Sequence, residues 1–147
     1  MLFAEPEPHR VTTVLGSCVS VCLFDPVRRI GGINHYMLPL WNGEGLSTPR
    51  YGNVAIDSLI DRLLGFGCLF TRLQAKIFGG ASMWENADRF MPIGAGNIDL
   101  ALRILEQYGI QVVARDLGGG ASRKIIFCSG SGEVLLRRQA SAPESKL

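Results

Sequence analysis

Glycine falls in clusters along this chain, and their placement limits the folds open to it. Gly31-Gly32, Gly79-Gly80 and Gly118-Gly119-Gly120 interrupt apolar segments. The 18 glycines make up about 12% of 147 residues, against the roughly 7% usual in globular proteins. They follow no G-X-Y period, which excludes a collagen-like helix, so they mark backbone turns at defined places. Hydrophobic residues form 47% of the chain, enough to bury a core and to exclude disorder over most of it.

The apolar segments between these turns read mostly as strands: Val11–Leu15, Val19–Phe24, Ile30–Leu38, Ala75–Phe78, Gln111–Leu117, Arg123–Cys128 and Val134–Arg137. Asp25-Pro26 ends the second of these with turn chemistry. Ser129-Gly130-Ser131-Gly132-Glu133 joins the last two as a hairpin loop. Two glycine-free stretches have helical spacing. One is Asn53–Leu64, closed by Gly65 and Gly67; the other is Asn97–Tyr108, with Asn97 as its N-cap and Gly109 at C′. Pro39 to Gly52 reads as a loop. Strands that do not alternate regularly with helices predict an α+β fold, and the length predicts one domain. That domain is expected over residues 11–138, with a short extension at 1–10 and a frayed polar tail at 139–147.

Charge and cysteine usage narrow the function classes. The net charge is only +2, with Arg and Lys scattered, so nucleic acid is not an expected partner. No apolar run approaches the ~18 residues of a membrane span. The N-terminus carries Glu5 and Glu7 and no basic start, unlike a secretory signal. Four Cys in such a chain read as reduced thiols in the cytoplasm.

Few residues here can do chemistry. Cys18, in Leu15-Gly16-Ser17-Cys18, follows a strand directly, where a turn at Gly16 can present a nucleophile and free N–H groups around Ser17 can receive an oxyanion. A buried structural thiol is the commoner fate of an intracellular Cys. His35 is the one His inside the strand-and-helix body, since His9 lies in the Pro-rich start. A His among Ile33, Tyr36 and Met37 is ordinarily a core residue, but a Cys nucleophile needs a base and His35 is available. Thr12 and Thr13 lie upstream as candidates to orient the ring. No metal is expected: Cys18-x3-Cys22 is a single pair, with Cys68 and Cys128 standing alone. Gly118-Gly119-Gly120 lacks Walker spacing and Gly79-Gly80 lacks a following G-x-x-G, so neither reads as a phosphate loop.

The string from Thr12-Thr13-Val14-Leu15-Gly16-Ser17-Cys18 through Asp25-Pro26, followed by Gly31-Gly32-Ile33-Asn34-His35-Tyr36-Met37-Leu38-Pro39, resembles the signature of the CheD family of chemoreceptor glutamine deamidases. Lys76-Ile77-Phe78-Gly79-Gly80-Ala81, Ile93-Gly94 with Asn97, and Asp116-Leu117-Gly118-Gly119 followed by Arg123-Lys124 match in the same order, from about Val11 to Arg138. The resemblance implies layered mixed and antiparallel β-sheets with two helices packed outside, similar to cysteine deamidase toxins. It implies a cofactor-free Cys-His-Thr site, with Cys18 as nucleophile, His35 as base and Thr12, six positions before the Cys, as the orienting residue. The implied reaction turns receptor Gln into Glu through a thioester, tuning adaptation, with Glu methyl esters as a second substrate. Expected partners are the receptor's cytoplasmic helices and a CheC-like phosphatase. The loop Trp41–Tyr51 and the segment Met83-Trp84 to Phe90 are candidate groove walls.

Two features depart from the family pattern. Only eleven residues precede Thr12, which puts the packing of one sheet edge in question. Ile93-Gly94-Ala95-Gly96-Asn97 lacks the charged pair that often precedes the Asn, which bears on surface recognition. The rival readings are a docking module acting on receptors or on a CheC-like phosphatase, and a cysteine amidase with another protein Gln as substrate.

Overall fold

The strand Val19–Asp25 is buried along nearly its whole length, on both faces, which requires a layer on each side of it. The computed structural model, which describes residues 1–41, 43–82 and 92–139, supplies both layers. In chain order the described elements are β1 (Leu2–Glu5), β2 (Arg10–Leu15), β3 (Val19–Asp25), β4 (Ile30–Asn34), α1 (Gly52–Gly65), a 3-10 turn (Phe70–Arg72), β5 (Gln74–Gly79), α2 (Ile93–Tyr108), β6 (Gln111–Leu117), β7 (Ser122–Cys128) and β8 (Val134–Gln139).

One sheet runs β1-β4-β3-β5-β6 and the other β2-β7-β8. Among the described strands β5 and β6 alone form a parallel ladder, and α2 makes the crossover that such a pair needs. The rest of both ladders is antiparallel. This is the α+β arrangement expected: helices, then a mixed sheet, then a smaller antiparallel sheet.

Strand periodicity divides the core in two. Val19, Val21 and Leu23 of β3 face the helices and join Ile56, Leu59, Ile60 and Leu63 of α1 with Ala101 and Leu105 of α2. Cys22 of β3 and Ile33 of β4 face the other way, onto Leu15, Ile125 and Phe127 of the small sheet. Each fully buried Leu, Ile or Phe contributes roughly 1.5–3 kcal/mol, so both layers are strongly held. A polar clamp also ties the sheets. Asp116 on β6 accepts from Arg123 Nε on β7 at 2.7 Å and from Arg138 on β8 at 2.8 Å. Arg123 is only 2% exposed, and its other nitrogens donate to the Ala121 and Gly118 carbonyls.

Three expectations need correcting. The first residues are not only an extension. Leu2–Glu5 pairs with β4 through Phe3↔Ile33 and Ala4↔Gly32, supplying the sheet edge thought to be in question. Asn97 is not an N-cap, because α2 begins a turn earlier at Ile93, after Pro92. The helices are also not glycine-free: Gly94 sits in the first turn of α2, where a Cβ would meet the backbone oxygens of Gly80 and Ala81. Gly109 does close α2 in the left-handed conformation, φ 71°. Of the tail 139–147, Gln139 ends β8 and the remainder lies outside the described residues. No helix among the described residues is long and apolar enough to cross a membrane.

Candidate active site

Two strand ends carry the site. β2 stops at Leu15, Gly16 and Ser17 turn the chain, and Cys18 stands immediately before β3. His35 follows the last residue of β4. β3 and β4 pair in the register Cys22↔Ile33, and the same register continues to an exchange between Val19 and Tyr36. Val19 N–H donates to the Tyr36 carbonyl at 3.1 Å and Tyr36 N–H to the Val19 carbonyl at 3.0 Å. Ser20 is therefore directly opposite His35, and Cys18 lies two positions further along the same face. Such diagonal neighbours have Cα atoms about 7–8 Å apart, within reach of long side chains. Alternation puts Cys18, His35 and Ile33 on the face toward the small sheet.

That sheet supplies the third residue. Thr13 Oγ1 lies 2.7 Å from His35 Nδ1. The hydroxyl at the imidazole is thus that of Thr13, not of Thr12, the position that the family resemblance implies. Along β2 exposure alternates, with Thr12 and Val14 exposed and Thr13 and Leu15 turned inward. Thr12 points away from the site for that reason. The signal was present in the sequence: Leu15 belongs to the core, and a period of two carries Thr13 to the same face.

With Nδ1 engaged, Nε2 is the ring nitrogen without a hydrogen-bond partner among the described residues. Burial draws the pKa of His35 below its ordinary 6.5, so the ring is neutral near pH 7. Burial also raises the Cys18 thiol above 9.0, outweighing the lowering effect of its own backbone N–H. The resting pair is thus a thiol and a neutral imidazole, and among the described residues no hydrogen bond joins the sulfur to the ring. From that resting state the thiol has to lose its proton before or during any attack, since the thiolate is the nucleophilic form.

The other thiols differ. Cys22, four residues along the same face, is 2% exposed and its thiol is pushed far up by burial. Cys68 is buried and pushed up to about 11, by burial and then by Asp25. Cys128 is half-buried at the end of β7, outside the site. His9 is exposed, its Nδ1 at the Glu7 carbonyl. Among the described residues no cluster of His, Cys, Asp and Glu could hold a metal ion.

The turn before Cys18 is held through its carbonyls. Gly16 O accepts from Ala81 N–H at 2.9 Å, Ser17 O from Asn97 Nδ2 at 3.0 Å, and Cys18 O from Gly80 N–H at 2.8 Å. No acceptor among the described residues takes the Ser17 N–H, while the Cys18 N–H is directed at its own sulfur. Gly79 makes the approach possible: its φ is 108°, and a Cβ there would collide with the Cys18 carbonyl oxygen. Gly16 itself has no left-handed φ, so the conformational demand read at Gly16 falls on Gly79 and Gly80. Beside His35 is a cavity of about 680 Å³ lined by Met1, Leu2, His35, Met37, Pro49 and Arg50. Pro49 and Arg50 belong to the loop expected as a wall, whereas Met83 to Phe90 lies outside the described residues.

Most of the chain is similar to known proteins. The family model described as CheD chemotactic sensory transduction matches residues 37–138. A probable chemoreceptor glutamine deamidase CheD of Trichlorobacter lovleyi is 51% identical over 134 residues, spanning 91% of this chain and 83% of that protein. A protein of the same name from Sulfurimonas denitrificans is 49% identical over 137 residues, or 92% and 88% of the two chains. A probable chemoreceptor glutamine deamidase CheD 1 of Anaeromyxobacter dehalogenans is 43% identical over 132 residues, or 90% and 77%.

Proposed function

The chain belongs to the CheD family, and from that premise we propose that its activity, deamidation of chemoreceptor glutamines, runs on Cys18 with His35 as base and Thr13 orienting the ring. The observation that carries this reading is the shared face of Cys18 and His35, set by the Val19–Tyr36 exchange, with Thr13 on Nδ1.

The steps follow from the resting states. A Gln side chain enters the cavity beside His35. His35 Nε2 takes the thiol proton as Cys18 Sγ attacks the carboxamide carbon, and the oxygen becomes an oxyanion facing the Ser17 and Cys18 N–H groups. Collapse breaks the C–N bond; the imidazolium gives its proton to the departing nitrogen, and ammonia leaves a thioester. Water then loses a proton to His35 and attacks the thioester carbon. The C–S bond breaks, the proton returns to the thiolate, and the product is Glu. Thr13 holds one ring orientation throughout, the part a third residue plays in triads. The same cycle hydrolyses a Glu methyl ester, with methanol leaving in place of ammonia.

The substrate is the helical cytoplasmic part of a receptor, so the work is placed in the cytoplasm. A CheC-like phosphatase is the second partner in this reading, and co-purification with this chain tests that contact. Replacing Cys18 by Ala and following Gln-to-Glu conversion by mass spectrometry tests the mechanism: conversion is expected to stop while receptor binding persists.

A further inference from the structure

Asn97 is fully buried within α2, and both hydrogens of its side-chain amide go to backbone on either side of the site. Nδ2 donates to Ser17 O at 3.0 Å and to Met37 O at 3.0 Å. Ser17 precedes the nucleophile; Met37 stands two residues after the base and opposite Cys18 in the continued register. One amide group therefore fixes both strand ends from a third element.

The rest of the residue shows what this arrangement costs. Asn97 Oδ1 is buried without a partner among the described residues, an expense that a buried polar group rarely incurs without a reason. The helix does not need the side chain for docking. Tyr36 Oη already donates to the Asn97 backbone carbonyl at 2.6 Å, and Leu100, Ala101 and Leu105 bury the apolar face of α2. Among the described residues no hydrogen bond joins the Asn97 side chain to the thiol or the imidazole; its amide reaches backbone carbonyls only.

We propose that Asn97 is a positioning residue for deamidation, setting the distance between the Cys18 turn and the His35 segment through its two amide hydrogens. This rests on the reading of Cys18 and His35 as nucleophile and base. Displacing reacting groups by about 1 Å can cost as much as a hundredfold in rate, and loss of this bridge frees both groups together.

Asn97→Asp tests the role, because it keeps the shape and the Tyr36 contact and removes both donors. The measurements are kcat and KM with a receptor fragment, the rate of Cys18 alkylation by iodoacetamide, and the melting temperature. The expected result is a kcat lower by roughly tenfold or more with KM changed less than about twofold, and an altered alkylation rate at fixed pH. Leu105→Ala, in the same helix but remote from the site, is the control: it lowers the melting temperature and leaves kcat and alkylation unchanged. A folded Asn97→Asp protein with wild-type kcat and alkylation overturns the proposal. If the carboxylate prevents folding, Asn97→Ser, uncharged and too short to span both carbonyls, is read by the same criteria. Cys18→Ala measured alongside separates the two claims. An active Cys18→Ala protein removes the nucleophile reading itself, whereas an inactive one beside a fully active Asn97 variant removes only the role of Asn97.

Discussion

Val19 and Tyr36 exchange both of their backbone hydrogen bonds, and that pair places Cys18 and His35 on one face, two ladder positions apart. Neither Val19 nor Tyr36 is exposed. Their side chains lie in the core beneath the helices while the residues before them face the opposite way. The site is thus built on the edge of the protein's most buried layer, which restrains its geometry.

Thr13, rather than Thr12, is hydrogen-bonded to the ring of His35. Thr13→Val keeps the side-chain shape and removes the hydroxyl at His35 Nδ1. It is expected to lower kcat by about tenfold to a hundredfold, whereas Thr12→Val, on the exposed face, leaves kcat within about twofold. Ammonia release from a receptor fragment measures both.

The protonation states predict a particular pH profile. The proposed mechanism uses a neutral His35, and burial holds the pKa of that ring below 6.5. Deamidation at low substrate should therefore fall as pH drops through a midpoint below 6.5. Alkylation of Cys18 without substrate should still be climbing at pH 9, because the thiol lies above its ordinary 9.0. A plateau in alkylation near neutral pH would instead indicate a preformed thiolate–imidazolium pair.

Much of this was legible in the sequence, because period-two strands and the Gly-Ser-Cys turn are local signals. The central strands, the hairpin loop and the two main helices lie where their patterns place them, within a few residues. What escaped depended on contacts between distant segments. β1 is short and followed by prolines, and only its pairing with Gly31 to Asn34 makes it a strand. Asn97 resembled a helix start because Gly94 and Gly96 read against a helix, yet Gly94 is needed where α2 presses on the Gly80 and Ala81 backbone. Gly118 and Gly119, by contrast, are not pressed by neighbours; they take φ 76° and 72° in open space.

Gly79→Ala should damage the site beyond its cost in stability. The left-handed φ costs on the order of 1–3 kcal/mol, and the added Cβ pushes on the Cys18 carbonyl. The expected kcat loss exceeds about tenfold. Gly43→Ala makes the comparison: its φ is 95° but nothing lies within 4 Å of the new Cβ. It should lower the melting temperature without lowering kcat.

Asp116→Asn should unfold the protein at lower urea. Burial raises the Asp116 pKa, but its hydrogen bonds with Arg138 and Arg123 outweigh that and hold it below 3.8. The substitution leaves Arg123 buried without its counter-charge, at a cost of about 3 kcal/mol, the low end for breaking a buried pair. The lowered pKa means this stabilisation is fully present above pH 3.8 and is lost as pH falls through the folded value. The gap between wild type and variant should therefore narrow below pH 3.8.

The most direct test of the whole account is the conversion of receptor glutamine by Cys18→Ala protein, followed by mass spectrometry of receptor peptides, where each event adds about 1 Da. With wild-type protein the account predicts Gln-to-Glu conversion at defined receptor positions; with Cys18→Ala it predicts none, with the fold and receptor binding intact. Unchanged conversion by the variant would contradict it.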